Sequence, residues 1–292
     1  MVGGRSRVFC CHRATLSGRF PPNSLPAVEE CVGQRVPRLE IDVRFLADDR
    51  MLIFHDPTLD QETTGSGRVD ALTTPAVGAI RFRNSESVPL CFLEEVVDVI
   101  RGGETLLQVD LKLRRPISAG RLDALARALF PIRDRVLVGS QAHWNLRALP
   151  ERGIAVAFDP TLQWQYAPAR SNEHALPFRR GLHGLWDDAP IAHVRGVATA
   201  DYCAVRIADI AALLPAAREW MVDIATIRYL SSLGLGLGDE LAGRGIELAA
   251  WTMPDEGPVA SSEMLRSLFS CGVTTVITDH AMKLAGYAAA LS

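Results

Sequence analysis

Strand-like and helix-like segments alternate from one end of this 292-residue chain to the other. Short apolar runs such as Val8–Cys11, Leu39–Phe45, Thr105–Leu113, Val136–Val138, Ile154–Phe158, Ile246–Trp251 and Val273–Thr278 are separated by segments of helical periodicity. That rhythm predicts parallel strands with helices packed outside them. About eight such units in this length predict an α/β fold, a single (β/α)8 TIM-type barrel spanning residues 1–292 as one domain. In such a barrel the C-terminal ends of the strands share one face, so residues at strand ends are the place to look for chemistry.

One strand carries an unusual load. In Leu39-Glu40-Ile41-Asp42-Val43-Arg44 the apolar residues alternate with two carboxylates. Side chains alternate along a strand, so Glu40 and Asp42 share a face. Two carboxylates held so close repel unless a cation lies between them or one is protonated. Three further groups end predicted strands: His12-Arg13, His55-Asp56 and Asp110-Leu111-Lys112.

Net charge narrows the partners. Thirty-one Lys and Arg against 34 Asp and Glu leave a formal charge of −3, which gives no bulk attraction to nucleic acid or anionic membrane. No apolar run reaches the ~18–20 residues a membrane span needs. The apolar stretch before His12 is too short for a signal-peptide core. Six scattered cysteines without a C-x-x-C pair predict reduced, buried thiols and a cytoplasmic setting.

The order of these motifs resembles the glycerophosphodiester phosphodiesterase family. The residues that carry the likeness are His12-Arg13, Glu40-Ile41-Asp42, Phe54-His55-Asp56-Pro57-Thr58-Leu59-Asp60, Asp110-Leu111-Lys112, Trp251-Thr252 and Thr278-Asp279. There is also some similarity to the related phospholipase D toxins, which share the shorter carboxylate found at Asp110. Two other departures stand out. Pro22 occupies the place of the Glu in the family's P-E-N-T box, and Pro254 replaces an Asn that follows the W-T pair. They bear on the substrate and the reaction outcome rather than on the fold.

The resemblance implies a small-molecule phosphodiester as substrate and places Trp251 against its alcohol portion. The residues themselves imply the rest. Glu40, Asp42 and Asp110 offer hard oxygen ligands with no Cys or His among them, which favours one Mg²⁺ or Ca²⁺ over Zn²⁺. Arg13 and Lys112 supply cationic donors to phosphate oxygens. His12 and His55 are the expected acid and base, since imidazole titrates near neutrality. The expected reaction is hydrolysis to an alcohol and a phosphomonoester. Two alternatives stand beside it: transfer or cyclisation at the same site, and a catalytically inactive barrel used as a binding module.

Residues 161–200 interrupt the rhythm with an extended insertion rich in aromatic and basic residues, including Trp164, Tyr166, Arg170 and Trp186. Because it follows a predicted strand end, it is expected to emerge over the site as a substrate-selecting lid; the alternative is an outer cap that only shields the rim.

Overall fold

The computed structural model describes residues 7–162, 189–194 and 196–291. The chain opens with β1 (Val8–Cys11), a tight turn at His12–Ala14 and α1 (Leu25–Gly33). Ser24 caps α1, its hydroxyl accepting from the Ala27 N–H, and Pro26 sits in the first turn where its missing N–H costs nothing. Next come β2 (Arg38–Phe45) and β3 (Met51–Ile53), which turns back antiparallel on β2. The excursion that follows holds α2 (Thr74–Val77) and a two-stranded ribbon of β4 (Arg81–Phe82) and β5 (Ser85–Pro89). It encloses a small core of its own built on Leu46, Leu52, Phe54, Leu59 and Phe82. The ribbon is too short and too polar to register as alternation in the sequence.

From there strands and helices alternate: α3 (Leu93–Arg101), β6 (Leu106–Leu111), α4 (Ala119–Leu129), β7 (Val136–Ser140), α5 (His143–Leu146) and β8 (Ala155–Phe158). The remainder comprises α6 (Thr199–Leu213), β9 (Ala217–Asp223), α7 (Ile224–Ser232), α8 (Leu237–Ala242), β10 (Glu247–Trp251), α9 (Pro258–Ser270), β11 (Thr275–Thr278) and α10 (Ala281–Ala289). The strand order is β1-β11-β10-β9-β8-β7-β6-β2, all parallel, and β2 pairs back with β1. The result is a closed eight-stranded parallel barrel with helices outside, the TIM-type architecture expected from the alternation.

α5 ends after one turn; Pro150 lacks the N–H that would continue it, and a short 3-10 turn follows at Pro150–Arg152. The sequence leaves a late strand open between residues 201–215 and 221–229, and the structure forms it between them, sharing Met221–Asp223 with the second segment. The strand is Ala217–Asp223, where the Asp223 side chain accepts from Thr226 N and starts α7. α9 begins at Pro258 after Gly257, with Ser261 inside it and buried. The Gly234–Gly238 run opens α8, as the lack of a following Lys-Ser/Thr implies; Gly238 packs so closely on Cys271 and Gly272 that a Cβ there would fall 2.3 Å from the Cys271 carbonyl. Of the 161–200 insertion, residues 163–188, with Trp164, Tyr166, Arg170 and Trp186, lie outside the described residues.

The barrel interior is filled by Cys10, Leu137, Ala157, Met221, Ala249 and Ile277. Gly139 has no side chain because Met221 needs the space: a Cβ at 139 would sit 2.5 Å from the Met221 methyl carbon. Towards the N-terminal ends of the strands lies a buried ionic layer that sequence reading missed. Arg38 Nη1 and Nη2 donate to the two Glu219 oxygens at 2.8 and 2.6 Å, and Arg38 Nη2 also reaches Gln108 Oε1 at 2.6 Å. Removing one partner of a buried pair leaves an uncompensated charge, at a cost of ~3–5 kcal/mol. Glu219→Leu should therefore lower the unfolding midpoint sharply in calorimetry, and Arg38→Met added to it should recover much of the loss. Equal midpoints for wild type and Glu219→Leu would refute this.

Candidate active site

The strand register sets the centre of the site. Asp42 on β2 lies level with Asp110 on β6 towards the C-terminal rim of the barrel, and Glu40 lies two residues earlier on its strand, level with Gln108. Carboxylate oxygens of Glu40, Asp42 and Asp110 come within 4.8 Å of one another. Burial, then the adjacent charge of Asp42, push the Glu40 carboxyl well above its ordinary value. Burial likewise raises Asp110, against the pull of Lys112. Burial acts on Asp42 too, but Lys112, His55 and Asn23 together hold it below the usual carboxylate range.

Lys112 is the counter-charge in this cluster. Its Nζ lies 2.9 Å from Asp42 Oδ1 and 2.5 Å from Asp110 Oδ2. Lys112 and the nearby Arg13 guanidinium bring two positive charges to three carboxylates, and Asp42 Oδ1 still lacks a well-aligned hydrogen bond. Three hard oxygen donors with surplus negative charge fit a divalent Mg²⁺ or Ca²⁺ ion.

The surroundings hold these groups in place. The turn after β1 has Arg13 and Ala14 in the left-handed region, at φ of 50° and 55°. It points the Arg13 N–H at Glu40 Oε2, 2.8 Å away, and brings Arg13 Nε within 3.4 Å of Asp42 Oδ2. Strain of this kind in non-glycine residues persists where the surroundings over-determine it. Asn23, buried and also left-handed, clasps Asp42 twice: its amide donates to Oδ2 at 2.7 Å and its carbonyl accepts from the Asp42 N–H at 3.0 Å. In the sequence Asn23 reads as a turn residue or helix cap; the cap is Ser24 instead. Arg44 was also passed over, though it shares a strand face with Asp42. Its guanidinium holds the carbonyls of His55, at 2.8 and 2.6 Å, and of Lys112, at 3.2 Å.

Each predicted histidine has a carboxylate on Nδ1. His12 pairs with Asp279 Oδ1 at 2.9 Å, and His55 with Asp56 Oδ1 at 2.6 Å. The hydrogen bond to His12 is the leading cause that holds Asp279 below its ordinary value. Bonding at Nδ1 leaves each Nε2 free to face a reactant. His12, Arg13, Glu40, His55, Asp110, Lys112 and Trp251 line one cavity of about 620 Å³. Asp42 lies directly behind them.

A sequence profile of the glycerophosphoryl diester phosphodiesterase family matches residues 12–175, more than half of the chain. The chain belongs to this family. Among curated relatives, a glycerophosphodiester phosphodiesterase of Caldanaerobacter subterraneus is 25% identical over 140 residues, which is 45% of this chain and 57% of the relative. One from Bacillus altitudinis is 26% identical over 163 residues, 52% of this chain and 66% of the relative. The alignments thus span between 57% and 66% of these relatives' length.

Solved structures agree over the whole barrel. A glycerophosphodiester phosphodiesterase from Agrobacterium tumefaciens superposes with a TM-score of 0.63 at 18% identity, over 97% of this chain and 99% of that one. An Oleispira antarctica phosphodiesterase, determined with the product sn-glycerol-3-phosphate, gives 0.62 at 18% identity, over 97% and 96%. At such identities the likeness establishes the fold. Among the described residues no helix is long and apolar enough to cross a membrane, and the six cysteines are buried and outside any disulfide.

Proposed function

We propose that this family member is a metal-dependent phosphodiesterase that converts a glycerophosphodiester-like substrate to an alcohol and a phosphomonoester. The observation that carries the reading is the meeting of two carboxylate-backed histidines and a three-carboxylate cluster in a single cavity. Glu40, Asp42 and Asp110 would hold one Mg²⁺ or Ca²⁺, which when bound supplies a Lewis acid for the phosphoryl oxygens. Arg13 and Lys112 bind the same oxygens and offset the charge that grows on them.

His12 and His55 divide the proton transfers. One accepts the proton of the attacking water through Nε2, and the other returns a proton to the leaving alcohol oxygen. Asp279 and Asp56 hold the rings in orientation and stabilise each imidazolium as it forms. Trp251 forms part of the wall for the alcohol. We further read the chain as one barrel domain, acting on a small molecule in a reducing cytoplasmic setting.

The test is product analysis by phosphorus NMR with glycerophosphodiesters and added Mg²⁺ or Ca²⁺. Growth of a monoester resonance is the expected result. A cyclic phosphate or new diester would replace hydrolysis with transfer, and no metal-dependent conversion would leave the binding-module reading.

A further inference from the structure

We propose that Asp159, at the end of β8, is a specificity-determining residue that accepts hydrogen bonds from a hydroxyl-rich second alcohol of the substrate. This rests on the phosphodiesterase reading and adds which diester the site is built for. In the strand order of the barrel, β8 lies four places from β1 in either direction. Asp159 therefore stands across the mouth from His12 and Asp279, and it lines the same cavity as His12.

Its side chain is deliberately placed. Oδ1 accepts from the Thr161 N–H at 2.9 Å, and Oδ2 accepts from Gln141 Nε2 at 3.2 Å. Each oxygen keeps a second lone pair for a further donor. No ion pair reaches Asp159 from the described residues. Burial, little offset by these partners, pushes its carboxyl up to about 6. A carboxylate held in a cavity without a cation is one that a ligand donor would satisfy.

The neighbours decide between ligand chemistries. Gln141 and Arg114 line the cavity on the same side, following β7 and β6. Farther round, the Trp251 ring lines the same cavity. This wall offers both donors and acceptors, and a hydroxyl group is both. A quaternary ammonium head group would be drawn to the Asp159 charge but has no N–H to donate. It would leave the remaining lone pairs of Asp159 and the rest of the Gln141 amide without hydrogen bonds, on a wall that already carries the cation Arg114. The chemistry is that of a polyol, such as glycerol or inositol, rather than choline.

The experiment compares kcat/KM for glycerophosphoinositol and glycerophosphocholine in wild type and in Asp159→Asn, which keeps the size of the side chain. A site built to bind hydroxyls rejects analogues that lack them. Wild type should prefer the inositol diester by ~10-fold or more, and the variant should lose most of that preference through KM. A wild-type preference for the choline diester, or an unchanged ratio in the variant, overturns the assignment. If neither diester is turned over, the phosphodiesterase reading fails on its own account. The same ratio is then read by calorimetric binding of the two intact diesters. A preference for the inositol diester that vanishes in Asp159→Asn upholds the role of Asp159, and equal binding to both proteins overturns it.

Discussion

EDTA should abolish turnover by the native protein, and Mg²⁺ or Ca²⁺ should restore it. The expectation comes from the charge balance at the rim. Glu40, Asp42 and Asp110 place three carboxylates within 4.8 Å of one another, and Lys112 is the ammonium among them. A divalent cation bound there would compete with Lys112 for the Asp42 and Asp110 oxygens and free its ammonium for substrate phosphate. Loss of the cation should therefore remove two phosphate-binding groups together, the ion and the lysine. The fold should survive, because the cluster lies at the barrel rim while the apolar interior and the Arg38–Glu219 layer lie beneath it. Chelated protein should nevertheless melt at a lower temperature than metal-saturated protein, since a ligand that binds only the folded state stabilises it by mass action. Full turnover after thorough chelation would sink the metal assignment.

His12→Ala and His55→Ala should each lower kcat by ~10²-fold or more while metal binding, measured by calorimetry, stays close to wild type. Neither imidazole belongs to the carboxylate cluster, and each is tied to a carboxylate of its own. The supporting carboxylates give a finer check. Asp279→Asn and Asp56→Asn keep the size of the side chain but can present the wrong partner to Nδ1, so a smaller fall in kcat and a displaced pH profile are expected. Should either histidine variant lose metal yet recover its full rate at metal saturation, that histidine is a ligand and not a proton carrier.

Most of the frame was legible because it rests on patterns that repeat. The Glu40–Asp42 face follows from strand alternation alone, and the register of Asp42 with Asp110 then follows from parallel pairing of β2 with β6. The supporting residues were harder to see because they act through contacts distant in sequence. Asn23 meets Asp42 across 19 positions, and Asp279 meets His12 across 267. No local period marks either. Arg44 was within reach, since it continues the even-numbered face of Glu40 and Asp42. The late strand Ala217–Asp223 stays open in the sequence because its apolar run continues directly into α7, and only the Asp223 cap separates the two. Arg38 opens β2 as an apparently ordinary surface charge; only closure of the barrel turns it inward to Glu219.

The packing of Met221 into the space left by Gly139 has a consequence for traffic. Met221 and its neighbours stop the axis of the barrel, and the Arg38–Glu219 layer seals it below. A molecule that reaches His12 and His55 must leave by the mouth through which it came. Incoming diester and outgoing products share one doorway, so each turnover waits for the last to clear, and the released alcohol and monoester are natural competitors of the substrate.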